Sequence, residues 1–314
     1  MFTCRFALVR RAALIGANAV ALGTLVGCTT PPAATATAPV TARTTAQTTP
    51  SAALDLASSA GQLDAFMRMR AANDGREVFA NWWVTVFAVV PGERPREIMK
   101  LEGYNVGRFA KKPDGSAEFI SREVAYYKDP KSGDILKEWV NPFTNEKNSV
   151  IAVLNDPVNS RYAAPKAGEA GRYPFMTSGD DVFLRLDVPL AYPNALQPAE
   201  YPAESTGPTY FASEHFTFFA KTADLRNTGL ASVPLTYAWA RTGPWLPWMK
   251  MGQRPGYLMY SGHGRKYASF SELPADIQAH TRANHPLYLK APDGYVTPNE
   301  TSWSYYKKQF PPQK

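Results

Sequence analysis

The sequence predicts a mainly β protein: one antiparallel sheet, curled or barrel-like, with a few peripheral helices. Three observations carry this expectation. Turn residues recur roughly every dozen positions between residues 117 and 157, the spacing of antiparallel hairpins. Between the turns lie runs rich in β-branched and aromatic residues, the strongest being EVFANWWVTVFAVV at 77–90. With 27 prolines and 12% aromatic residues, the composition favours short strands and rigid corners over long helices.

Taken in order, residues 55–72 read as a helix. Leu56, Leu63, Phe66, Met67 and Arg70 fall near one face, and Asn73-Asp74-Gly75 stops it. The strand at 77–90 ends at Pro91-Gly92, and 97–108 returns antiparallel. Strands follow at 117–127, 135–140 and 149–154, separated by turns at 129–134 and 141–145 and closed by Asn155-Asp156-Pro157. Residues 159–172 show no regular pattern. A short strand at 181–188 leads into a Pro-rich loop at 189–208, then strands at 210–220 and 235–241. Pro244 and Pro247 make a rigid corner of Trp245-Leu246-Pro247-Trp248-Met249, and a further strand starts at Tyr257. A helix is expected at 272–284 with Ser271 as its N-cap, and a last one within 299–310 that docks Trp303 and Tyr306. No internal repeat is present.

The start of the chain has a different character. Arg5, Arg10 and Arg11 precede an apolar run at 12–26, too short to span a bilayer comfortably. Leu25-Val26-Gly27-Cys28 resembles the lipobox of bacterial lipoproteins. The signal is expected to span residues 1–28; that resemblance implies a cut just before Cys28 and acylation of Cys28, which anchors the chain to the bilayer. Residues 29–52, nearly all Thr, Ala, Pro and Ser, cannot bury a core and are expected to form a disordered tether. Residues 53–314 then form a single β-rich domain. Thr29 in place of aspartate favours the outer membrane, facing the periplasm. Arg10-Arg11 leaves both the general and the twin-arginine export routes open.

The formal charge of +7 includes the three leader arginines, and no basic stripe suited to tracking phosphates remains, so nucleic acid is excluded as a partner. The two cysteines, Cys4 and Cys28, both precede the domain, which therefore has no disulfide and no thiolate metal site. The four histidines, His215, His263, His280 and His285, match no hydrolase or zinc spacing. No cofactor is expected, and no catalytic residue is assigned.

The candidate site lies around the aromatic stretch at 237–260. Trp239, Trp245 and Trp248 are expected to bound a cavity, with Met249 and Tyr257 in its wall. Arg241 shares a face with Trp239, and is suited either to grip a ligand carboxylate or to pair with an inward glutamate such as Glu138 or Glu214. Glu214 and His215 are adjacent on a strand, so one of them faces the rings, and both are candidate polar partners. By the same alternation Arg122 and Glu123 point to opposite faces.

Several stretches together resemble a known family: Tyr127-Lys-Asp-Pro-Lys-Ser-Gly-Asp-Ile-Leu, Glu138-Trp-Val-Asn-Pro-Phe-Thr, Asn155-Asp-Pro-Val-Asn159, Trp245-Leu-Pro-Trp-Met249 and Asn299-Glu-Thr-Ser-Trp303. They are similar to the bacterial and fungal domain-of-unknown-function family numbered eighteen-thirty-eight, over about residues 60–310. The resemblance implies no activity and no catalytic residues.

These readings converge on an envelope lipoprotein that binds an apolar or aromatic small molecule. The alternatives are a cofactor-independent enzyme acting on an apolar metabolite in the same cavity, with His215, Glu214 and Arg241 as acid, base and anion holder, or an interaction module docking through the loop at 189–208. Replacing Cys28 by serine in the full chain is expected to move the protein from the detergent phase to the aqueous phase in Triton X-114 partition, since the acyl chains supply the membrane affinity.

Overall fold

A computed structural model describes residues 54–312; the predicted leader, Cys28 and the tether lie outside the described residues. The chain opens with helix α1 (Ser59–Arg70). Three long strands follow as a meander, β1 (Val78–Val89), β2 (Arg96–Lys111) and β3 (Ala117–Lys128). A small hairpin is made by β4 (Glu138–Val140) and β5 (Lys147–Ser149), and β6 (Val153–Asn155) and β7 (Ser160–Tyr162) both pair with β3. Then come β8 (Phe175–Ser178), β9 (Asp181–Pro193), β10 (Thr209–Lys221), the short helix α2 (Thr222–Arg226), β11 (Thr236–Gly243) and β12 (Tyr257–Tyr267). Helices α3 (Ala275–Asn284) and α4 (Ser302–Gln309) finish the domain.

All but the hairpin join one antiparallel sheet of ten strands, in the order β6-β3-β2-β1-β12-β11-β10-β9-β8, with β7 also on β3. The last strand of the chain, β12, pairs with the first, β1, over eleven residues, which curls the sheet back on itself. The ends β6/β7 and β8 do not pair, so the sheet is curled and open, not a closed barrel.

Burial divides the sheet in two. The outer face of β1–β3 is roofed by α3 and the 3-10 turn Pro286–Leu289, which bury Phe79, Tyr104, Val124, Tyr126 and Ile277. Strands β2 and β3 are therefore buried on both faces along most of their length, polar residues such as Glu102, Asn105 and Arg122 included. Strands β9 to β12 have no such roof and alternate buried with exposed.

The concave face is plugged at both ends. At one end sits α1, N-capped by the Ser58 hydroxyl, which accepts from the Gly61 N–H at 3.0 Å. Its buried Arg68 donates to the carbonyls of Leu225 and Leu230 at 2.8 and 2.7 Å. Lys266, whose pKa burial pushes well down, donates to the α1 carbonyls of Arg68 and Met69 at 2.6 and 2.8 Å and to that of Ala71 at 2.9 Å, satisfying the helix end. At the other end the corner Trp245-Leu246-Pro247-Trp248-Met249, a 3-10 turn over Pro247–Met249, is packed solid with α4. The Trp248 ring meets Tyr127 at 5.2 Å and Trp139 at 5.7 Å, and Met249 is fully buried. Between the plugs Tyr237 lies across Gly264 and donates to the Asn81 carbonyl at 2.9 Å; a Cβ at Gly264 would run into its ring.

The structure corrects several expected elements. The expected strand at 135–140 shrinks to β4, and the stretch at 159–172 holds β7. β9 runs on through Pro189 to Pro193, well into the expected loop. Only its residues 181–184 pair with β8, so the prolines lie where the strand has a neighbour on one side, and a missing N–H is tolerated. Helix α3 starts after Pro274, not at Ser271, which lies in the preceding 3-10 turn Phe270–Glu272. Neither β8 nor α2 carries a sequence pattern strong enough to foresee. The rest of the Pro-rich stretch folds inward on buried Leu196, Tyr201 and Ser205, and no large apolar side chain in it is exposed. No helix among the described residues is long and apolar enough to cross a membrane.

Trp248→Ala removes the ring that joins the corner to β3 and β4, and is expected to cost about 3–5 kcal/mol of unfolding free energy in a urea titration.

Candidate ligand site on the concave face

Three neighbouring strands build the site. Register places Glu214 of β10 directly opposite Arg241 of β11, and Arg241 opposite Tyr260 of β12, all pointing into the concavity. Arg241 Nε donates to Glu214 Oε1 at 3.1 Å, and its Nη2 donates to the Tyr210 hydroxyl. The guanidinium also lies over the Tyr260 ring at 5.1 Å. Tyr210 in turn stacks on Tyr192 at 4.7 Å and meets Trp303 edge-on at 4.7 Å, so α4 helps fix the pair.

Across the concavity β3 contributes Glu123, which accepts from Asn155 Nδ2 at 2.5 Å. Register sets it opposite Asn105 of β2, whose Oδ1 accepts from Arg70 of α1 at 3.0 Å. Arg70 rests over the Phe119 ring at 4.5 Å. Two carboxylates and two guanidinium groups thus face one interior space.

Charges here respond to that setting. Burial pushes Glu123 up from the ordinary glutamate range and Glu214 adds to the rise, while the Asn155 hydrogen bond and the charges of Arg241 and Arg70 pull back. Burial works against the charge of Arg241, but Tyr210, Tyr260 and Glu214 outweigh it, and its pKa is raised. Burial pushes the Tyr260 hydroxyl up to about 12.

The centre of this face is less completely buried than its two ends. Glu123, Arg241 and Arg70 lie deep in the fold, yet each keeps accessible surface. Leu186, Val188, Phe216, Trp82 and Trp239 point the same way and are only half-buried. Trp82 of β1 and Trp239 of β11 flank β12 where Gly264 and Gly262 offer no side chain. The indole Nε1 of both tryptophans, the Tyr260 hydroxyl and the Asn155 Oδ1 have no hydrogen-bond partner in the protein. Buried polar atoms are normally paired, so four orphans on one face are unusual.

Of the residues expected at the site, the structure brings together Trp239, Arg241 and Glu214. Of the three tryptophans expected beside a cavity, Trp239 alone is half-buried on the concave face. Trp245, Trp248 and Met249 belong to the packed plug, and Trp245 spends its Nε1–H on the Arg254 carbonyl at 3.0 Å. His215 and Tyr257 lie on the convex side, because each is one residue out of step with an inward neighbour, Glu214 and Leu258. Glu138, the other suggested partner for Arg241, pairs with Lys147 on the surface at 2.5 Å. Sequence reasoning missed Trp82, Asn155, Tyr260 and Arg70. Alternation alone gives each a face, but only the cross-strand register shows which faces meet.

No cluster of metal-ligating side chains occurs among the described residues.

Fold and site define the class: an open, curled antiparallel sheet with a charged, aromatic concave face. The family described as "Protein of unknown function (DUF1838)" matches residues 75–310, well over half of the chain, and the protein belongs to that family. The matched span begins after α1, although α1 plugs the sheet and supplies Arg70. No curated protein matches the chain.

Glu123→Gln tests the electrostatics. An acid with a raised native pKa binds protons more tightly folded than unfolded, so stability falls as pH climbs from the ordinary glutamate value through the raised one. The glutamine variant escapes that loss. It is expected to match the parent in urea denaturation at pH 4 and to exceed it at pH 8.

Proposed function

We propose that the protein is an exported, lipid-anchored envelope protein whose concave face binds an apolar or aromatic small molecule carrying hydrogen-bond acceptors. The observation that carries the reading is the half-buried apolar wall of Leu186, Val188, Phe216, Trp82 and Trp239, which converges with two unpartnered indole N–H donors. The wall suits a ring system or acyl chain, and the donors suit a carbonyl or ether oxygen. The Arg241–Glu214 pair offers a polar anchor at one side of the wall. Residues 1–28 support export, and Cys28 supports anchoring to the outer membrane, facing the periplasm.

A second reading, a cofactor-independent enzyme on the same face, is favoured by one observation: Glu123 is a deep carboxyl with a raised pKa that keeps some accessible surface, the situation of a general acid or base. His215 has no part in it.

An aryl ketone such as 2-acetylnaphthalene is the simplest probe. Its addition is expected to quench tryptophan fluorescence saturably, and Trp239→Ala is expected to weaken binding at least tenfold. A titration curve that Trp239→Ala and Arg241→Ala leave unchanged would place any binding elsewhere. Native mass spectrometry after gentle extraction would show whether a molecule co-purifies.

A further inference from the structure

The convex side of the same sheet holds a second chemical arrangement. Ser213 and His215 are two residues apart on β10, so both point outward. Asp187 of β9 lies directly across from His215. Ser213 Oγ is 3.0 Å from His215 Nε2, and His215 Nδ1 is 2.8 Å from Asp187 Oδ1. Thr242 of β11 stands opposite Ser213 on the same face and brings a second hydroxyl. Arg185 donates to Asp187 at 3.1 Å, and the hydrogen bonds from His215 and Arg185 hold that carboxyl below the usual aspartate range. Ser213 also borders a groove of about 450 Å3 where β10, β11 and β12 meet the corner. Phe211, Trp245 and Tyr257 line that groove, and Phe211 is 65% exposed.

A surface hydrogen-bond chain needs neither this order nor an apolar groove beside it. Hydroxyl, imidazole and carboxylate in sequence, with both ring nitrogens engaged, is the arrangement that activates a serine for attack on an acyl carbon. We propose that Ser213, His215 and Asp187 are nucleophile, base and orienting acid for hydrolysis of a carboxylic ester whose apolar acyl chain lies in the Phe211–Tyr257 groove. Ser213 Oγ bonds to the ester carbonyl carbon as its proton passes to His215 Nε2. The C–O bond to the alcohol breaks, and the alcohol leaves with that proton. Water then gives a proton to His215 and attacks the Ser213 ester, releasing the carboxylic acid and restoring the serine. The Thr242 hydroxyl is placed to donate to the carbonyl oxygen as charge builds on it. Asp187 and His215 are about half exposed, so water reaches the second step. This site is independent of the concave-face reading, since it uses the opposite face of β10.

The test uses the full chain, p-nitrophenyl butyrate and a fluorophosphonate probe. The expected result is p-nitrophenolate release above the buffer rate and one phosphonate adduct, located on Ser213 by peptide mass. Ser213→Ala is expected to lose the adduct and the hydrolysis together, and His215→Gln to lose at least about 100-fold in kcat/KM. Asp187→Asn is expected to lower kcat without raising KM, as a residue acting through the imidazole should. His215 and Asp187 are exposed and Ser213 is half-buried, so these positions carry little stability, and circular dichroism of each variant is expected to match the parent. An intact Ser213 after probe treatment, or parent-rate hydrolysis by Ser213→Ala, overturns the proposal. Quenching by 2-acetylnaphthalene is expected to be the same in Ser213→Ala as in the parent, which separates failure here from failure of the concave site.

Discussion

Arg241 is a permanent cation under a roof of aromatic rings, and such a charge persists only where something pairs with it. Glu214 Oε1 at 3.1 Å, the Tyr210 hydroxyl and the face of Tyr260 are those partners. They come from three strands and meet only if β10, β11 and β12 hold their register. A slip of one residue would turn Arg241 to solvent and bury His215 and Ala240 instead. The pair therefore acts as a register lock for these three strands.

The plugs make that concavity a compartment. α1 closes one end, with its carbonyls satisfied by Lys266, and the Pro-Trp corner with α4 closes the other. Between them the sheet does not close. The Tyr237 ring lies over Gly264, while charged groups from α1, β3, β10 and β11 gather on the same face. The two ends are thus fully buried, while the side chains between them keep accessible surface. The α3 roof buries β1–β3 on both sides, which leaves the convex face of β9–β12 open for separate chemistry.

How far each feature was legible follows from the physics behind it. The long strands β1, β2, β3 and β10 stand out because β-branched and aromatic residues repeat between turn signals. The three-residue strands β4 to β7 do not, because their pairing comes from neighbours and not from their own sequence. Arg241, Trp239 and Glu214 were found because a two-residue step fixes a shared face. Glu123 was assigned a face but no role, since the groups opposite it come from β2, α1 and β6. The opposite error occurred at Trp245 and Trp248: a dense aromatic run looks like a pocket wall, and here it is filler.

The sequence by itself determined the class of fold, the two-faced character of each strand and the family, because turn chemistry, alternation and motif order are local properties. Only the tertiary structure decided which residues face one another. It set Glu214 inward on Arg241 and His215 outward between Ser213 and Asp187, because antiparallel register and the curl of the sheet are fixed by contacts between strands far apart in the chain.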